Sequence, residues 1–254
     1  MADVVSNGVR HHVQRLGEDR TGTVRKTVVF VHGLVMDNLS SFYFTLANPV
    51  AETSGVMLYD LRGHGMSERP PSGYAVDNLV EDLRGLVGDR DVSLVGNSFG
   101  GLLALAYASR YPVSRLALID AHDGTDGWAA QMASTLTLEG EARDSKIAES
   151  FQAWLGRHSE RKRTRLARAA EALVEGTSLI ADLRASPPLS RSQLAGIRCP
   201  TLALYGERSD VLARGEELAR TIPACTLRVL PGCTHSVLWE ATGTVREAIV
   251  GFLA

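Results

Sequence analysis

Short apolar runs alternate with longer stretches of helical periodicity along most of this chain, and this alternation is the strongest constraint on its fold. A run that is apolar at every position is typical of a strand buried on both faces. Between these runs, residues such as Leu79, Leu83 and Leu86 recur at the spacing of an amphipathic helix. Because strands that alternate with helices build a parallel sheet covered on both faces, we predict an α/β fold. The predicted strands are residues 27–31, 56–59, 92–95, 116–119, 201–205 and 226–230.

The N-terminal segment departs from the alternation. Asn7 and Gly8 separate two strand-like stretches, and both residues tolerate the positive φ of a two-residue hairpin turn. We therefore predict an antiparallel hairpin at one edge of the sheet, with His11 and His12 solvated on it.

Residues 123–188 carry helical patterns only, and the prolines at 187, 188 and 200 mark the return to the sheet. The simplest arrangement is a helical cap that is inserted after the sixth strand and lies over the strand ends. We expect residues 1–122 and 189–254 to form the core domain and residues 123–188 to form this cap.

Composition excludes several classes of function. Lys and Arg number 27 against 29 Asp and Glu, so the net charge of −2 provides no basic field for nucleic acid. No apolar run reaches the roughly 18 residues of a membrane span, and the N-terminus lacks the apolar stretch of a signal peptide. The cysteines at 199, 225 and 233 are odd in number and lack metal-type spacing, which indicates reduced thiols and no metal site. We expect a cytoplasmic protein without nucleic-acid or membrane partners.

The segment most informative about chemistry is residues 96–100, Gly-Asn-Ser-Phe-Gly. It follows a predicted strand and precedes a predicted helix, so it has both the pattern and the context of a nucleophile elbow. In such a tight reversal the serine hydroxyl projects above the sheet at the start of a helix. We predict Ser98 to be the nucleophile.

A serine nucleophile needs a base, and the base needs an orienting acid. His235 follows the last predicted strand, at the sheet edge that carries Ser98, and is the predicted base; His122 at the cap hinge is the alternative. In the loop after strand 201–205 we select Asp210 as the acid, with Glu207 as the second candidate. Asp120, at the end of strand 116–119, is the third candidate.

The oxyanion of an acyl-transfer reaction needs two backbone N–H donors. Phe99, directly after the nucleophile, should supply one. Leu34, in the loop after strand 27–31, should supply the other.

These motifs occur in one order along the chain: His32-Gly33, residues 60–67 (Asp-Leu-Arg-Gly-His-Gly-Met-Ser), the elbow, the acidic loop and His235. Together they resemble the α/β-hydrolase superfamily in its serine-nucleophile branch, with esterase, thioesterase and meta-cleavage-product hydrolase relatives. The resemblance covers essentially the whole chain. It implies an eight-stranded, mostly parallel sheet, a Ser-His-Asp triad and no cofactor, with His32 and His64 as structural loop residues.

Large apolar residues near the expected cleft point to an apolar or aromatic acyl group. The predicted substrate-binding residues are Val35, Met36, Trp154, Val211 and Trp239. The cap also carries a cationic strip, which could dock an acyl carrier protein or coenzyme A. Its members are Arg157, Arg161, Lys162, Arg163, Arg165 and Arg168.

The sequence thus predicts a serine hydrolase that cleaves a small-molecule ester or thioester through an acyl-enzyme. Four alternatives use the same residues: a carbon–carbon bond hydrolase of the meta-cleavage-product type, a lactonase or cyclising acyltransferase, a perhydrolase, and a receptor that binds ligand without turnover.

Overall fold

A computed structural model describes residues 2–17, 26–125, 127–138, 141–142 and 159–254, except the side chain of Lys162. Its eight-stranded sheet has the spatial order β1-β2-β4-β3-β5-β6-β7-β8. The last six strands in this order are mutually parallel, and the pairs β1–β2 and β2–β4 are antiparallel. This is the α/β-hydrolase architecture that the sequence predicts. The strands are β1 (Ala2–Ser6), β2 (Val9–Leu16), β3 (Thr27–Val31), β4 (Gly55–Tyr59), β5 (Val92–Asn97), β6 (Leu116–Ile119), β7 (Thr201–Gly206) and β8 (Cys225–Leu230).

The predicted hairpin is present, with Asn7 and Gly8 both at positive φ in the turn between β1 and β2. The expectation of solvated histidines on it is wrong, because His11 and His12 are both buried. Strand β2 lies between β1 and β4 rather than at the sheet edge. The His11 ring packs between the backbone carbonyl of Asp60 and the buried carboxylate of Asp82.

Helices cover both faces of the sheet, and successive residues of each strand pack on opposite sides. Val29 and Leu94 belong to one buried cluster, and Val28 and Val95 to the other. This two-sided burial explains why the strands are apolar at every position. The helices described before β6 and after β7 are α1 (Ser40–Phe42), α2 (Asn48–Ala51) after a π-helical turn at Tyr43–Ala47, α3 (Val76–Val87), α4 (Phe99–Ala108), α9 (Leu212–Thr221), α10 (Val237–Glu240) and α11 (Thr242–Leu253).

Between β6 and β7 the described residues form helices and loops but no strand: α5 (Trp128–Leu136), α6 (Glu160–Glu175), α7 (Leu179–Ala185) and α8 (Arg191–Gly196), of which α8 lies beyond the predicted cap of residues 123–188. Polar contacts fasten this insert to the loop before α3. The Asp182 carboxylate accepts the N–H groups of Gly73 and Tyr74 at 3.1 and 2.7 Å, and the Ser186 hydroxyl accepts the Val76 N–H. The division into a core domain and a cap domain at residues 123 and 188 stays a prediction.

Candidate active site

Ser98 lies at a sharp turn between β5 and α4. Its φ of +53° is uncommon for a residue with a side chain. Close packing around the turn requires its glycines: a Cβ on Gly96 would lie 2.5 Å from the carbonyl oxygen of Gly100, and a Cβ on Gly100 would collide with that of Val31. The elbow predicted from residues 96–100 is therefore built by backbone contacts that exclude any larger residue at both positions.

His235 lies in the loop between β8 and α10, at the same edge of the sheet. Its Nε2 is 2.9 Å from Ser98 Oγ, although the two residues are 137 positions apart in the chain. The His235 side chain is 16% exposed, so it faces the cleft without being fully solvated. The structure thus brings the predicted nucleophile and the predicted base into hydrogen-bonding contact.

The carboxylate that contacts His235 belongs to Asp120, at the end of β6. Asp120 Oδ2 is 2.6 Å from His235 Nδ1, and the Asp120 side chain is fully buried. Two further donors hold this carboxylate in place: the Gly206 N–H at 2.8 Å and the Ser209 hydroxyl at 2.5 Å. Because His235 Nε2 faces the Ser98 hydroxyl, Nδ1 is the nitrogen that donates to Asp120.

The selection of Asp210, with Glu207 second, is therefore corrected in favour of the third candidate. Hydrogen bonds tie the loop after β7 to the loop after β8: Arg208 N–H donates to the Cys233 carbonyl, and Glu207 accepts the Gly232 N–H. In this conformation Glu207 and Asp210 are exposed, and the side chain that points inward is that of Ser209. Ser209 is a residue that the sequence reasoning missed, and spacing alone gave no signal for it.

His122, the alternative base, lies beside the site. Its ring centre is 5.6 Å from that of His235. Burial, and secondarily the neighbouring His235, lowers the pKa of His122 to about 3, whereas Asp210 acts in the opposite direction. A histidine with so low a pKa is a weak base, so the geometry and the electrostatics both favour His235.

Of the two predicted oxyanion donors, Phe99 belongs to the elbow itself and Leu34 to the loop after β3. Phe99 is the first residue of α4, and Gly33, the neighbour of Leu34, packs against Ser98: a Cβ at position 33 would be 3.6 Å from the Ser98 Cβ. Within the part of the chain that the structure describes, the N–H groups of Leu34 and Phe99 have no protein acceptor. The side chain of Phe99 is fully buried, so only its backbone is available at the site.

The predicted substrate-binding residues fall into two groups. Val35 and the buried Val211 pack with one core cluster, and Met36 and Trp239 with the other. Trp154 lies outside the described residues. Trp128, which the sequence reasoning did not select, begins the first helix of the insert, and its ring centre is 6.2 Å from that of Phe99, the residue after Ser98.

The described arginines of the cationic strip, at positions 161, 163, 165 and 168, are exposed on α6, whereas Leu166 and Leu173 of the same helix are buried. An open groove of about 760 Å³ is lined by Ser159, Glu160, Arg161, Thr164, Arg165 and Arg168. Arg157 and the side chain of Lys162 lie outside the described part of the structure.

Neither a metal centre nor a membrane span is found in the described ranges: they hold no cluster of three His, Cys, Asp or Glu side chains arranged for a metal, and no helix long and apolar enough to cross a bilayer. The three cysteines are free thiols.

The sequence and the structure of this chain are similar to those of known hydrolases. The chain is 25% identical over 271 residues to the serine hydrolase BPHL of Mus musculus, covering 99% of the chain and 86% of that protein. The crystal structure of an enol-lactonase from Burkholderia xenovorans is 26% identical, covers 99% of both chains and superimposes with a TM-score of 0.77. A meta-cleavage product hydrolase from Pseudomonas fluorescens shares the fold, at 20% identity and a TM-score of 0.78 over 100% of this chain and 97% of that one. The sequence model of the alpha/beta hydrolase family matches residues 28–248. The chain therefore belongs to the alpha/beta hydrolase family.

Proposed function

We propose that this protein hydrolyses a carboxylic ester or thioester with an apolar or aromatic acyl group, through an acyl-enzyme on Ser98. The observation that carries the proposal is the continuous hydrogen-bonded line from Ser98 Oγ to His235 Nε2, at 2.9 Å, and from His235 Nδ1 to Asp120 Oδ2, at 2.6 Å. Hydroxyl, imidazole and buried carboxylate in this order make up the machinery of a serine hydrolase.

In the first step, His235 Nε2 takes the proton of the Ser98 hydroxyl as Ser98 Oγ attacks the acyl carbonyl. Asp120 fixes the tautomer of His235 and stabilises the imidazolium that forms. The N–H of Gly206 and the hydroxyl of Ser209 donate to the Asp120 carboxylate, so they stabilise its ionised form and hold it in place. His235 then gives the proton to the leaving alcohol or thiol, which departs and leaves the acyl group on Ser98.

The N–H groups of Phe99 and Leu34 stabilise the negative charge on the carbonyl oxygen during this attack. Phe99 directly follows Ser98, Leu34 follows Gly33, which packs against Ser98, and neither N–H is used by another described protein group. Such preorganised donors act most strongly where charge develops in the transition state. In the second half of the reaction, water attacks the acyl-enzyme with His235 again as the base, and the carboxylic acid leaves.

The apolar surroundings of the elbow support an apolar or aromatic acyl group. Val35 and Val211 belong to the core that also includes Trp128, so little in this wall would solvate a charged acyl chain. Met36 and Trp239 line the other side in this proposal.

Two finer possibilities remain within the same chemistry. The enol-lactonase relative favours a cyclic ester as a second candidate substrate, because a lactone needs the same nucleophile, base and oxyanion donors. The arginines on α6 favour a thioester carried by a phosphate-bearing group, such as coenzyme A or an acyl carrier protein.

The test is intact-mass detection of acylated Ser98. The protein is exposed in parallel to simple aryl esters, lactones, acyl-coenzyme A, acyl-carrier thioesters and a vinylogous diketone of the meta-cleavage type. We expect a mass shift with an activated ester, its loss in Ser98→Ala, and its retention in Ser109→Ala, a matched control at the other end of α4. In Ser98→Ala we expect turnover to fall by several orders of magnitude.

Retained turnover in Ser98→Ala, or failure of a fluorophosphonate to label Ser98 in the wild type, would remove the proposed function. Cleavage of the diketone with no activity on esters would place the enzyme among the carbon–carbon hydrolases. A shift seen only with carrier-bound acyl groups would select the thioester.

A further inference from the structure

Two loops at the carboxyl edge of the sheet exchange hydrogen bonds through a pair of histidines. His32 follows β3, and its Nε2 accepts the N–H of Leu61 at 3.0 Å. In the opposite direction, His64 in the loop after β4 accepts the N–H of Val35 at 2.8 Å through its own Nε2. The two rings meet edge to face with their centres 5.3 Å apart. This reciprocal pair, His32 and His64, joins the loop that carries Leu34 to the loop of residues 60–68.

Both imidazoles are fixed in one tautomer. Nδ1 of His32 lies 2.7 Å from the Gly33 carbonyl, and Nδ1 of His64 lies 2.9 Å from the Arg62 carbonyl, so each Nδ1 must carry the proton. Each Nε2 is then a lone pair that can accept only while the ring stays neutral. Burial and the neighbouring His32 keep His64 neutral, lowering its pKa to about 3.

The bond from His64 reaches a strained residue. Val35 has a φ of +66°, which for a β-branched side chain is a true outlier. Such a conformation persists only where the surroundings hold it. Two hydrogen bonds hold this turn: the Met36 N–H donates to the Leu34 carbonyl at 2.9 Å, and the N–H of Val35 itself donates to His64 Nε2. The bond to His64 fixes the peptide unit that joins Leu34 to Val35 from outside the loop.

The backbone N–H groups of residues 33, 34 and 35 differ in whether a protein acceptor engages them. The N–H of Gly33 is engaged by Asp37 Oδ2 at 2.8 Å and that of Val35 by His64. The N–H of Leu34, between them, has no acceptor among the described residues. The side chains of Asp37 and His64 therefore engage the donors on either side, and the Leu34 N–H stays available in a loop whose Gly33 packs against Ser98.

The loop that carries His64 is itself firmly held. The Asp60 carboxylate accepts the N–H groups of Leu39 and Met66, both at 2.8 Å. The buried guanidinium of Arg62 donates to Asp82 through two nitrogens, at 2.7 and 2.5 Å. The imidazole of His64 thus has a rigid base from which to act on position 35.

We infer that His64 is a positioning residue for the oxyanion donor of Leu34: it holds Val35 in the left-handed conformation that leaves the Leu34 N–H directed at the reacting carbonyl. This inference rests on the proposed function, since it assigns the oxyanion role to Leu34. It predicts that the acceptor at Nε2 of His64 matters for turnover, separately from the packing of the ring.

Two substitutions divide the functions of the ring. Asparagine at position 64 can place its amide nitrogen near the Nδ1 site and keep the bond to Arg62, but it is too short to reach Val35. Glutamine can place its amide oxygen near the Nε2 site and keep the bond to Val35, but it loses the donor toward Arg62. Both are neutral amides, so His64→Gln is the matched control for His64→Asn.

We expect His64→Asn to lower kcat for an activated ester by roughly 10- to 100-fold, below the 10²–10³-fold cost of removing an oxyanion donor altogether. kcat/KM should fall in proportion and KM should change little, because the interaction is made in the transition state. His64→Gln should stay within about fivefold of the wild type. His12→Asn, which removes a different buried imidazole whose Nδ1 contacts Asp3 on β1, should leave kcat unchanged per folded molecule, with the folded fraction measured by circular dichroism.

A second measurement reads the loop without using catalysis. Amide hydrogen exchange followed by NMR should show the Val35 N–H protected in the wild type and in His64→Gln, and exposed in His64→Asn. Equal kcat in the Asn and Gln variants, or a Val35 N–H equally protected in both, would overturn the inference. If the wild type hydrolyses no ester, the proposed function fails, while the exchange of the Val35 N–H still decides whether His64 holds the loop.

Discussion

Replacing Asp120 with asparagine tests the corrected triad most directly. The backbone should tolerate the change, because Asp120 has a φ of +44° and asparagine is among the residues that accept such a conformation. The side chain keeps its size and its place. What changes is that a group with two acceptor oxygens becomes a group with one.

The hydrogen bonds of Asp120 set the size of the effect. Its two oxygens receive three donors: Gly206 N–H on Oδ1, and the Ser209 hydroxyl and His235 Nδ1 on Oδ2. If the asparagine oxygen keeps the Gly206 N–H, its NH₂ group faces His235 Nδ1, which must then accept. His235 would carry its proton on Nε2, and this tautomer cannot take the proton of Ser98.

For a change of tautomer in a serine triad, kcat falls by about 10³–10⁴, which corresponds to about 4–5.5 kcal/mol of transition-state stabilisation. We expect this loss for Asp120→Asn, measured as steady-state hydrolysis of an activated aryl ester with folding checked by circular dichroism. Asp210→Asn and Glu207→Gln are the matched controls, because both carboxylates are exposed, and each should cost less than about fivefold. The reasoning would be refuted if Asp120→Asn kept more than a tenth of the activity, or if Asp210→Asn lost as much as Asp120→Asn.

Two further outcomes concern stability. His64 is neutral in the folded state, with a pKa of about 3, and an unfolded histidine has a pKa near 6.5. Between these two pH values the unfolded chain therefore binds more protons than the folded chain. The free energy of unfolding should fall by about 1.4 kcal/mol per pH unit as the pH drops through this range. Urea unfolding of the wild type and of His64→Gln from pH 4 to 7 should show a smaller pH dependence of the unfolding free energy in the variant. The same pH dependence in both proteins would contradict a buried, neutral His64. Gly100→Ala should lower the free energy of unfolding by more than about 2 kcal/mol, because its Cβ would meet backbone atoms of Val31 that cannot move aside. Gly251→Ala should raise the free energy of unfolding by about 0.5–1 kcal/mol, because this helical position is exposed and its Cβ would meet no atom within 4 Å. Thermal unfolding of the two variants side by side decides it, and equal midpoints would count against the packing argument.

The sequence predicts the sheet well because strands that are buried on both faces are apolar at every position. The predicted strand 116–119 has the same bounds as β6. The predicted strand 92–95 begins where β5 begins and stops short of its last residue, Asn97. The elbow was equally accessible, since the Gly-x-Ser-x-Gly pattern and its strand-to-helix context are both local. His235 needed one further assumption, that the ends of neighbouring parallel strands meet at one edge of the sheet.

The proposed acid, Asp120, could not be predicted from a local sequence pattern. Asp120 and Asp210 both follow strands whose ends lie at this edge, and sequence spacing treats them alike. What separates them is the path of the loop after β7, which the bond from Arg208 N–H to the Cys233 carbonyl turns so that Ser209 faces inward and Asp210 outward. That choice depends on contacts between β7 and β8 that are distant in sequence, so no local pattern encodes it.

The backbone itself marks the site. In the described part of the chain four residues other than glycine have positive φ; one, Asn7, belongs to the hairpin turn, and the other three are Val35, Ser98 and Asp120. Each of these three follows the end of a parallel strand, β3, β5 or β6, and these strands are neighbours in the sheet. Left-handed backbone is costly for residues with side chains, and it persists where the surroundings determine it. The chain bears this cost at the proposed nucleophile, at its proposed acid and in the proposed oxyanion loop. Ser98 and Asp120 follow their strands directly and Val35 lies in the loop after β3, so all three left-handed residues lie at one edge of the sheet. The cost is largest at Val35, because a β-branched side chain disfavours this conformation most, and the hydrogen bond from its N–H to His64 is among the contacts that hold it.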